Sequence, residues 1–375
     1  MDTPIHNDYH DHSSEKPNKY LVAIILILSL AGIIYSFSKP VGKDIIGGKV
    51  LEVLAERETI LDVGNLNKIV KEQDLLVEIT VENQKKEINI LNDYEPMEKG
   101  DKIFLRESLF GNSEWSVVNI SRTGELIMLF IFFLALVILT SGWKGFYSLI
   151  GLLFTFAVIF VFMVPQILKG VSPVSIGIIG AALILIPTLY LSYGLNKKSI
   201  AAFSGIIISL FFVGILSNYF VNSLQFTDFA EASFYLDMAS SNSINFMGLL
   251  IAGIIIAAVG VLDDVAAIQS SVVFSLARSN PNLRGFKLFK EAMHVGKDHI
   301  SAVVNTLVLA YTGASFPLIL LLTIQNMPLD YLISLEIVAE EIARTLISSS
   351  GLLLAVPLTT AIAVVMANRR NYKKT

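Results

Sequence analysis

Eight runs of apolar residues, each close to the length that crosses a bilayer, constrain this chain more than any other feature. About 20 apolar residues are enough for a helix to span the hydrocarbon core of a membrane. Of the 375 residues, 54% are hydrophobic and only 16% are charged, whereas soluble domains carry about a quarter charged residues. The runs occupy residues 20–37, 125–141, 144–164, 173–193, 199–220, 247–276, 301–323 and 345–367. The sequence therefore predicts an α-helical polytopic membrane protein with about eight transmembrane helices.

The basic residues predict the orientation of these helices. Lysine and arginine concentrate in the cytoplasmic loops of membrane proteins. With the N-terminus inside, fourteen of them fall in cytoplasmic segments, and only Lys169 and Arg344 fall in short outer loops. Lys16 and Lys19 precede the first run and no small-residue cleavage site follows it, so we expect an uncleaved anchor. Both termini are therefore predicted to be cytoplasmic.

Two polar segments flank the first transmembrane helix, 20–37. Residues 1–19 are predicted to form a disordered cytoplasmic tail, with loose metal binding by its histidines and aspartates as the alternative. Residues 38–122 contain five short alternating runs separated by turn residues: Lys49–Ala55, Leu75–Val81, Glu87–Leu91, Lys102–Leu105 and Trp115–Ile120. They predict a small extracytoplasmic all-β domain, for which a five-stranded barrel is one solution. This domain could dock a protein partner or be a folded insert, and residues 123–375 would form a seven-helix membrane domain.

The run at 247–276 carries two adjacent acids, Asp263 and Asp264, with apolar residues on both sides. An ionised carboxylate in hydrocarbon needs a partner, a water-filled cavity or a proton, so such a pair is a candidate functional site. Helical spacing places Asp264 on a small and polar face with Gly260 and Ala267, which predicts that it points into the bundle. The alternative is a helix that ends near Leu262 and leaves both acids in the headgroup layer.

Polar residues of nearby segments are candidate partners of the acid pair. Ser270, Asn305 and Thr306 are predicted to hydrogen-bond the carboxylates and complete an ion or proton relay. Asp298 and His299 would lie at the cytoplasmic mouth. A histidine there titrates near neutrality and could pass protons, or could simply be solvated. Together these residues predict an inner path to the pair.

Charged residues precede the last apolar run. Glu340 lies four residues before Arg344, the favourable order for an ion pair on one helix face, and Glu341 is adjacent. We interpret Glu340, Glu341 and Arg344 either as an outer path that gathers cations or as an ordinary helix start, where acids are favoured by the helix dipole. Segment 281–297 alternates basic and aromatic residues and is predicted to be an amphipathic helix at the cytoplasmic interface.

Several function classes are disfavoured by what the sequence lacks. It has no cysteine, and it contains no Walker A, HExxH or GxSxG motif. We therefore expect no enzyme, no cofactor and no resident metal. The charges of residues 38–122 are mixed, so no nucleic-acid partner is expected. The lipid bilayer is the one partner that the composition itself implies.

Four long motifs resemble those of the YibE/F family of bacterial multi-pass membrane proteins. They are Gly260–Ser271, Gly296–Ala314, Glu336–Leu346 and Ser349–Thr360. The resemblance implies one helix, a β-rich insert and seven further helices in a bacterial cytoplasmic membrane. More weakly, the stretch around Asp263 is similar to the proton-relay helix of resistance–nodulation–division exporters, which carries an adjacent Asp pair at mid-membrane. The run at 301–323 lacks the lysine of that family, so Asn305 or Thr306 would have to serve instead.

Two functions remain open from the sequence. The first is a transporter or export factor coupled to protons or another ion through Asp263 and Asp264. The second is a non-transporting membrane scaffold or assembly partner whose β-rich domain binds another protein. A transporter needs a polar path that reaches both faces of the membrane, whereas a scaffold can be a sealed bundle.

Overall fold

The computed structural model describes residues 19–38, 45–63, 66–81, 84–93, 95–107, 115–226, 245–324 and 327–368. The chain divides into two compact units, one formed by residues 37–142 and the other by residues 1–36 together with 143–375. The predicted tail of residues 1–19 lies outside the described residues except for Lys19, which begins the first helix.

The first of these units contains a five-stranded antiparallel sheet. Its strands are β1 Ile45–Val63, β2 Leu66–Val81, β3 Gln84–Asn92, β4 Lys102–Glu107 and β5 Trp115–Ile120. They lie in the order β3-β2-β1-β4-β5, and the edge strands β3 and β5 also contact one another. Each of the five predicted runs falls within one of these strands, so the prediction of an all-β domain is confirmed.

One face of the curved sheet encloses its apolar core, because side chains of a strand alternate between its two faces. The buried side chains are Val50, Leu75, Val77, Ile79, Ile90, Met97, Ile103 and Leu105. Strand β1 lies at the centre of the sheet and passes very close to its neighbours at Gly48. A Cβ there would be 2.8 Å from Val77 Cγ1 and 3.0 Å from Leu105 Cδ1, so the position requires glycine.

Strands β1 and β2 are much longer than the sequence predicted. Strand β1 pairs with β4 only over Ile45–Lys49, and β2 pairs with β3 only over Gln73–Val81. Beyond these regions, β1 and β2 pair with each other as far as Val63 and Leu66, and past Val50 no third described strand pairs with them. This two-stranded ribbon was missed because the hydrophobic alternation that marks a half-buried strand is weak there.

The remaining described elements are helical. The helices are α1 Lys19–Ser38, α2 Thr123–Ala157, α3 Val164–Leu168, α4 Pro173–Tyr193, α5 Lys197–Ser223, α6 Phe246–Ser279, α7 Gly285–Ala314, α8 Phe316–Ile324, α9 Leu329–Ser334 and α10 Glu336–Asn368, with a π-helical stretch Val158–Met163 between α2 and α3. By length and composition, five described stretches could cross a membrane: Thr123–Leu168, Pro173–Leu191, α5, α6 and α10. The chain is thus a mostly helical membrane protein with several apolar spans.

The five stretches are fewer than the eight predicted runs for identifiable reasons. Residues 123–168 count once, although α2 is broken at Gly142, where φ is 55° and ψ is −136°. This break lies between the predicted runs 125–141 and 144–164. The apolar part of α1, Tyr20–Tyr35, is short, and α7 begins with many charged residues.

The predicted amphipathic helix 281–297 is not a separate element. Helix α7 runs unbroken from Gly285 to Ala314 and so joins this segment to the start of the run at 301–323. No proline occurs in the segment that connects them, so nothing in the sequence ends the helix there. The break comes instead at Ser315, just before Pro317, which occupies a favourable position in the first turn of α8.

Candidate functional site

Helix α6 is the central element of the helical unit and carries the acid pair. It packs against α4, α5, α7 and α10. Asn245 caps its N-terminus by accepting a hydrogen bond from the backbone N–H of Gly248 at 2.8 Å. Asp263 and Asp264 lie near the middle of its 34 residues, and the helix continues to Ser279. The helix therefore does not end near Leu262, while the depth of the two acids in a membrane stays a prediction.

The two acids have different environments. Asp263 is half-buried and faces the hydroxyl of Thr188 on α4, and Tyr193 of the same helix lies close enough to interact electrostatically with both acids. Oδ1 of Asp263 is buried, with no hydrogen-bond partner among the described residues. Asp264 is exposed, as is Gly260 one turn earlier. The acid that points into the bundle is thus Asp263, and the prediction for Asp264 is wrong.

Asp264 interacts electrostatically with His299 of α7. His299 is half-buried, and its Nε2 atom is buried without a hydrogen-bond partner in the part of the chain that the structure describes. The structure therefore brings together residues of three helices, namely Asp263, Asp264, Thr188, Tyr193 and His299, which we call the Asp cluster. Two carboxylates and a nearby imidazole can hold and exchange a proton.

The hydroxyl and amide partners predicted from the sequence lie elsewhere. Ser270 is fully buried, but its hydroxyl donates to the backbone carbonyl of Lys198 at 2.8 Å. Thr306 is exposed and donates to the carbonyl of Ala302 at 3.0 Å. Asn305 is exposed as well. The predicted hydrogen bonds from Ser270 and Thr306 to the carboxylates are therefore replaced by other bonds.

The rotation of α7 about its own axis explains the position of Asn305. Val303, Val304 and Leu307 pack against the apolar core of the helical unit. Residues on the opposite side of a helix then face away from the bundle. Asn305 lies on that outer face, and Asp298 does too, since both are exposed. Asp298 therefore stays near His299 in sequence without sharing its environment.

A buried glutamine joins three helices about a turn and a half from the acids along α6. Gln269 is 2% exposed, and its Nε2 atom donates to the carbonyl of Ala292 on α7 at 3.0 Å and to Thr360 Oγ1 on α10 at 2.7 Å. The Thr360 hydroxyl donates in turn to the carbonyl of Val356. A Cβ on Gly296 would lie 2.8 Å from Val356 Cγ1 and 2.9 Å from Gln269 Oε1. We call these five residues the Gln269 junction.

The charges predicted at the start of the last run lie in a second polar group. Arg344 pairs with Glu341 at 3.8 Å, three residues before it, and interacts electrostatically with Glu340. Tyr311 of α7 lies within electrostatic range of Glu341 and Arg344. We call Glu340, Glu341, Arg344 and Tyr311 the Glu cluster. The predicted ion pair of Arg344 thus forms with the neighbouring glutamate, at i,i+3 instead of i,i+4.

Helix α7 contributes to both polar groups. His299 and Tyr311 are twelve residues apart in this helix, so about 18 Å of helix separates the Asp cluster from the Glu cluster. A cavity of about 240 Å³ adjoins Tyr311 and Glu341 between α7, α8 and α10. Ser348 and Ser349 of α10 are buried, and their hydroxyls lack hydrogen-bond partners among the described residues.

Sequence reasoning missed Thr188, Tyr193, Tyr311 and the five residues of the Gln269 junction as members of these groups. Thr188 and Tyr193 belong to an apolar run in which no acid or base drew attention to them, and Tyr311 belongs to another such run. Gln269 was visible as a polar residue in an apolar run, which is itself a signal, because buried amides in membrane helices form interhelical hydrogen bonds. The described residues contain no group of His, Asp and Glu that could hold a metal ion.

A comparison with known protein families identifies the family of this chain. Residues 129–369, about two thirds of the sequence, match a family model described as YibE/F-like protein. The chain belongs to the YibE/F-like family. The resemblance noted in the sequence motifs is thereby confirmed, and the matched region of this YibE/F-like protein contains the Asp cluster, the Glu cluster and the Gln269 junction. No curated protein and no solved structure matches the chain.

Proposed function

We propose that this YibE/F-like protein is a transporter or export factor coupled to protons or to another small cation through Asp263 and Asp264. The observation that carries the proposal is the Asp cluster itself. Two adjacent acids lie within an apolar helix at the centre of the unit, one facing Thr188 and the other within electrostatic range of His299. Charged groups are costly at membrane depth and are typical of ion and proton pathways.

Each group has a role in this proposal. The two acids interact as a pair, so they would bind and release a proton as one coupled unit. His299 would exchange protons with the cytoplasmic side, whereas Asp298 would have no direct role because it lies on the outer face of α7 with Asn305. Glu340, Glu341 and Arg344 would lie at the opposite entrance. A change in the charge of the pair would shift α7 against α6 and α10, in the manner of rigid elements that rock about a fixed site.

The buried hydroxyls of α10 support a place for water or an ion near the Glu cluster. Ser348 lies close to the Tyr311 hydroxyl of the Glu cluster, and the hydroxyl of the neighbouring Ser349 lacks a hydrogen-bond partner in the described chain. Buried polar groups without protein partners are places where water or an ion is expected. The proposal gives no direct role to Ser270, Asn305 or Thr306, because two have other bonds and Asn305 faces outward.

We further propose eight spans in a bacterial cytoplasmic membrane, with both termini cytoplasmic and the sheet outside. The break at Gly142 would divide residues 123–168 into two spans. Helix α1, and the apolar end of α7 together with α8, would supply the two that length and composition alone do not identify. The strong bias of lysine and arginine toward one side supports this orientation.

Infrared difference spectroscopy of the purified protein in lipid, between two pH values, tests the role of the acid pair. We expect the carbonyl band of a protonated carboxylic acid, and we expect Asp263→Asn or Asp264→Asn to remove it. Asp330→Asn is the matched control, because Asp330 is an exposed acid of α9. If neither substitution in the pair alters the spectrum while the protein remains folded, the proposal is wrong.

A second function, that of a scaffold whose sheet binds another protein, is favoured by the two-stranded ribbon. Among the described residues, no third strand pairs with β1 past Val50 or with β2 before Gln73, and such edges can accept an added strand from a partner. Crosslinking from Glu58 and Lys71, which are exposed residues of the ribbon, in whole membranes would test it, with Asp263→Asn as the comparison. A scaffold would retain its partner in that variant and would show no ion-dependent signal.

A further inference from the structure

The electrostatic interaction between Asp264 and His299 depends on where α7 lies, and α7 makes a tight contact close to His299. Gly296 precedes His299 by three residues, about 4.5 Å along the helix. At Gly296 the helix passes over Val356 and the Gln269 amide without room for a methyl group. Few other arrangements of α7 would fit this contact.

The hydrogen bonds at this contact are as specific as its shape. An amide NH2 group has two protons, and Gln269 donates to Ala292 O on α7 and to Thr360 Oγ1 on α10. In an α-helix the carbonyl of Ala292 is also the acceptor for the N–H of Gly296, four residues later. The amide therefore binds the one turn of α7 that leads directly to His299.

We infer that Gln269 is a positioning residue that fixes α7 where it keeps the His299 imidazole within electrostatic range of Asp264. It acts through α7 and touches neither acid. This inference rests on the proposed function, because Asp264 and His299 are the groups through which the proton or ion would pass. It adds that the geometry of this pair is set by a neutral amide five residues along α6 from Asp264.

The neighbouring residue provides a matched control. Ser270 is as fully buried as Gln269 and also makes a bond between helices, but that bond goes to Lys198 O at the start of α5. Ser270→Ala thus removes a hydrogen bond of α6 without touching α7. A general loss of packing would affect both variants, whereas loss of His299 positioning would affect only the Gln269 variant.

The experiment is a double-mutant cycle read by NMR. The full chain is placed in lipid nanodiscs with ¹³C-labelled histidine, and the resonance of His299 is identified by its loss in His299→Gln. The quantity measured is the change in the His299 imidazole shift that Asp264→Asn causes at fixed pH. We expect a clear change in the natural sequence, retention of that change in Ser270→Ala, and a reduction to about half or less in Gln269→Leu.

Two further variants keep the test decisive if Gln269→Leu does not fold. Gly296→Ala should displace α7 by steric contact and produce the same reduction, and Thr360→Val should produce a smaller one by removing one acceptor. If Asp264→Asn still changes the His299 shift to the full extent in Gln269→Leu, Gly296→Ala and Thr360→Val, Gln269 has no positioning role. That result would leave the proposed function standing. If Asp264→Asn has no effect on His299 even in the natural sequence, the pairing itself is wrong, and the positioning role is wrong with it. The infrared band of the acid pair reports on the proposed function separately.

Discussion

The sheet and the helical unit differ in how their described buried polar side chains are hydrogen-bonded. In the sheet, Gln73 accepts a hydrogen bond from the backbone N–H of Met97 at 2.7 Å and donates to its carbonyl, and Asn92 donates both to Gln73 and to the carbonyl of Glu95. These bonds fix the segment that leads from β3 to β4. The amides of the sheet interior therefore serve the fold.

In the helical unit, by contrast, six buried side-chain atoms have no hydrogen-bond partner in the described chain. They are Asp263 Oδ1, His299 Nε2, Arg344 Nε, Ser348 Oγ, Ser349 Oγ and Thr359 Oγ1. Each such group costs about 1–3 kcal/mol of folding free energy, and the cost is greater for charged groups. Five of the six belong to residues of the two polar clusters or lie near the Glu cluster. The comparison teaches that stability is given up where the proposed ion path lies.

The largest effect is expected where an unpaired hydroxyl lies in a tight contact. A Cβ on Gly205 of α5 would collide with Thr359 Oγ1 and lie 3.0 Å from Thr359 Cα. Gly205→Ala should lower the free energy of unfolding by about 3 kcal/mol or prevent folding. Gly214→Ala, on the same helix with open space around it, should be neutral or mildly stabilising. Thermal unfolding in detergent measures both. Tolerance of alanine at position 205 would mean that Thr359 lies in an open, wet space.

A smaller loss is expected in the sheet. Gln73→Leu would leave the buried amide of Asn92 and both backbone groups of Met97 with unmet hydrogen bonds, at a cost of about 2–3 kcal/mol. Hydrogen exchange at the Met97 amide should accelerate strongly in this variant. Gln84→Leu is the control, because Gln84 is exposed on β3. Equal exchange rates in the two variants would show that the Gln73 and Asn92 amides do not fix the segment between β3 and β4. The contrast between the sheet and the helical unit would then be wrong.

The smallest effect is expected at Ser349. Its hydroxyl makes no bond in the described structure, so Ser349→Ala should cause no loss of stability and should raise the free energy of unfolding by up to about 1 kcal/mol. Ser270→Ala, which removes a real interhelical bond, should cost about 1 kcal/mol. Calorimetry of the two variants in the same detergent compares them. A larger loss at position 349 than at position 270 would show that Ser349 has a stabilising partner.

The sequence predicted those features that leave a periodic or compositional signal. The five strands were found because residues such as Val77 and Ile79 alternate with polar ones, and the helices were found because their apolar runs are long. The acid pair was found because charge is rare in such runs. The rotation of each helix about its axis left a weaker signal, so the relative burial of Asp263 and Asp264 was predicted in the wrong order.

The features of the site that the sequence did not predict depend on contacts between helices. Thr188 meets Asp263, and Gln269 meets Thr360 ninety-one residues away. These contacts depend on which helices are neighbours and at what height they meet, and no local pattern encodes this. His299 was identified for its chemistry, whereas the outward direction of Asn305 follows from the packing of Val303 and Leu307 on the other side of α7.

Because α7 is one continuous helix, a small tilt at one point moves its distant end by a larger distance. The Gln269 junction holds it near Gly296, and Tyr311 lies fifteen residues further on, about 22 Å away. A tilt of about 5° around the junction would move the Tyr311 end by about 2 Å, which exceeds the range over which a hydrogen bond survives. A tilt too small to disturb the packing at the Gln269 junction would therefore be enough to make or break contacts of Tyr311.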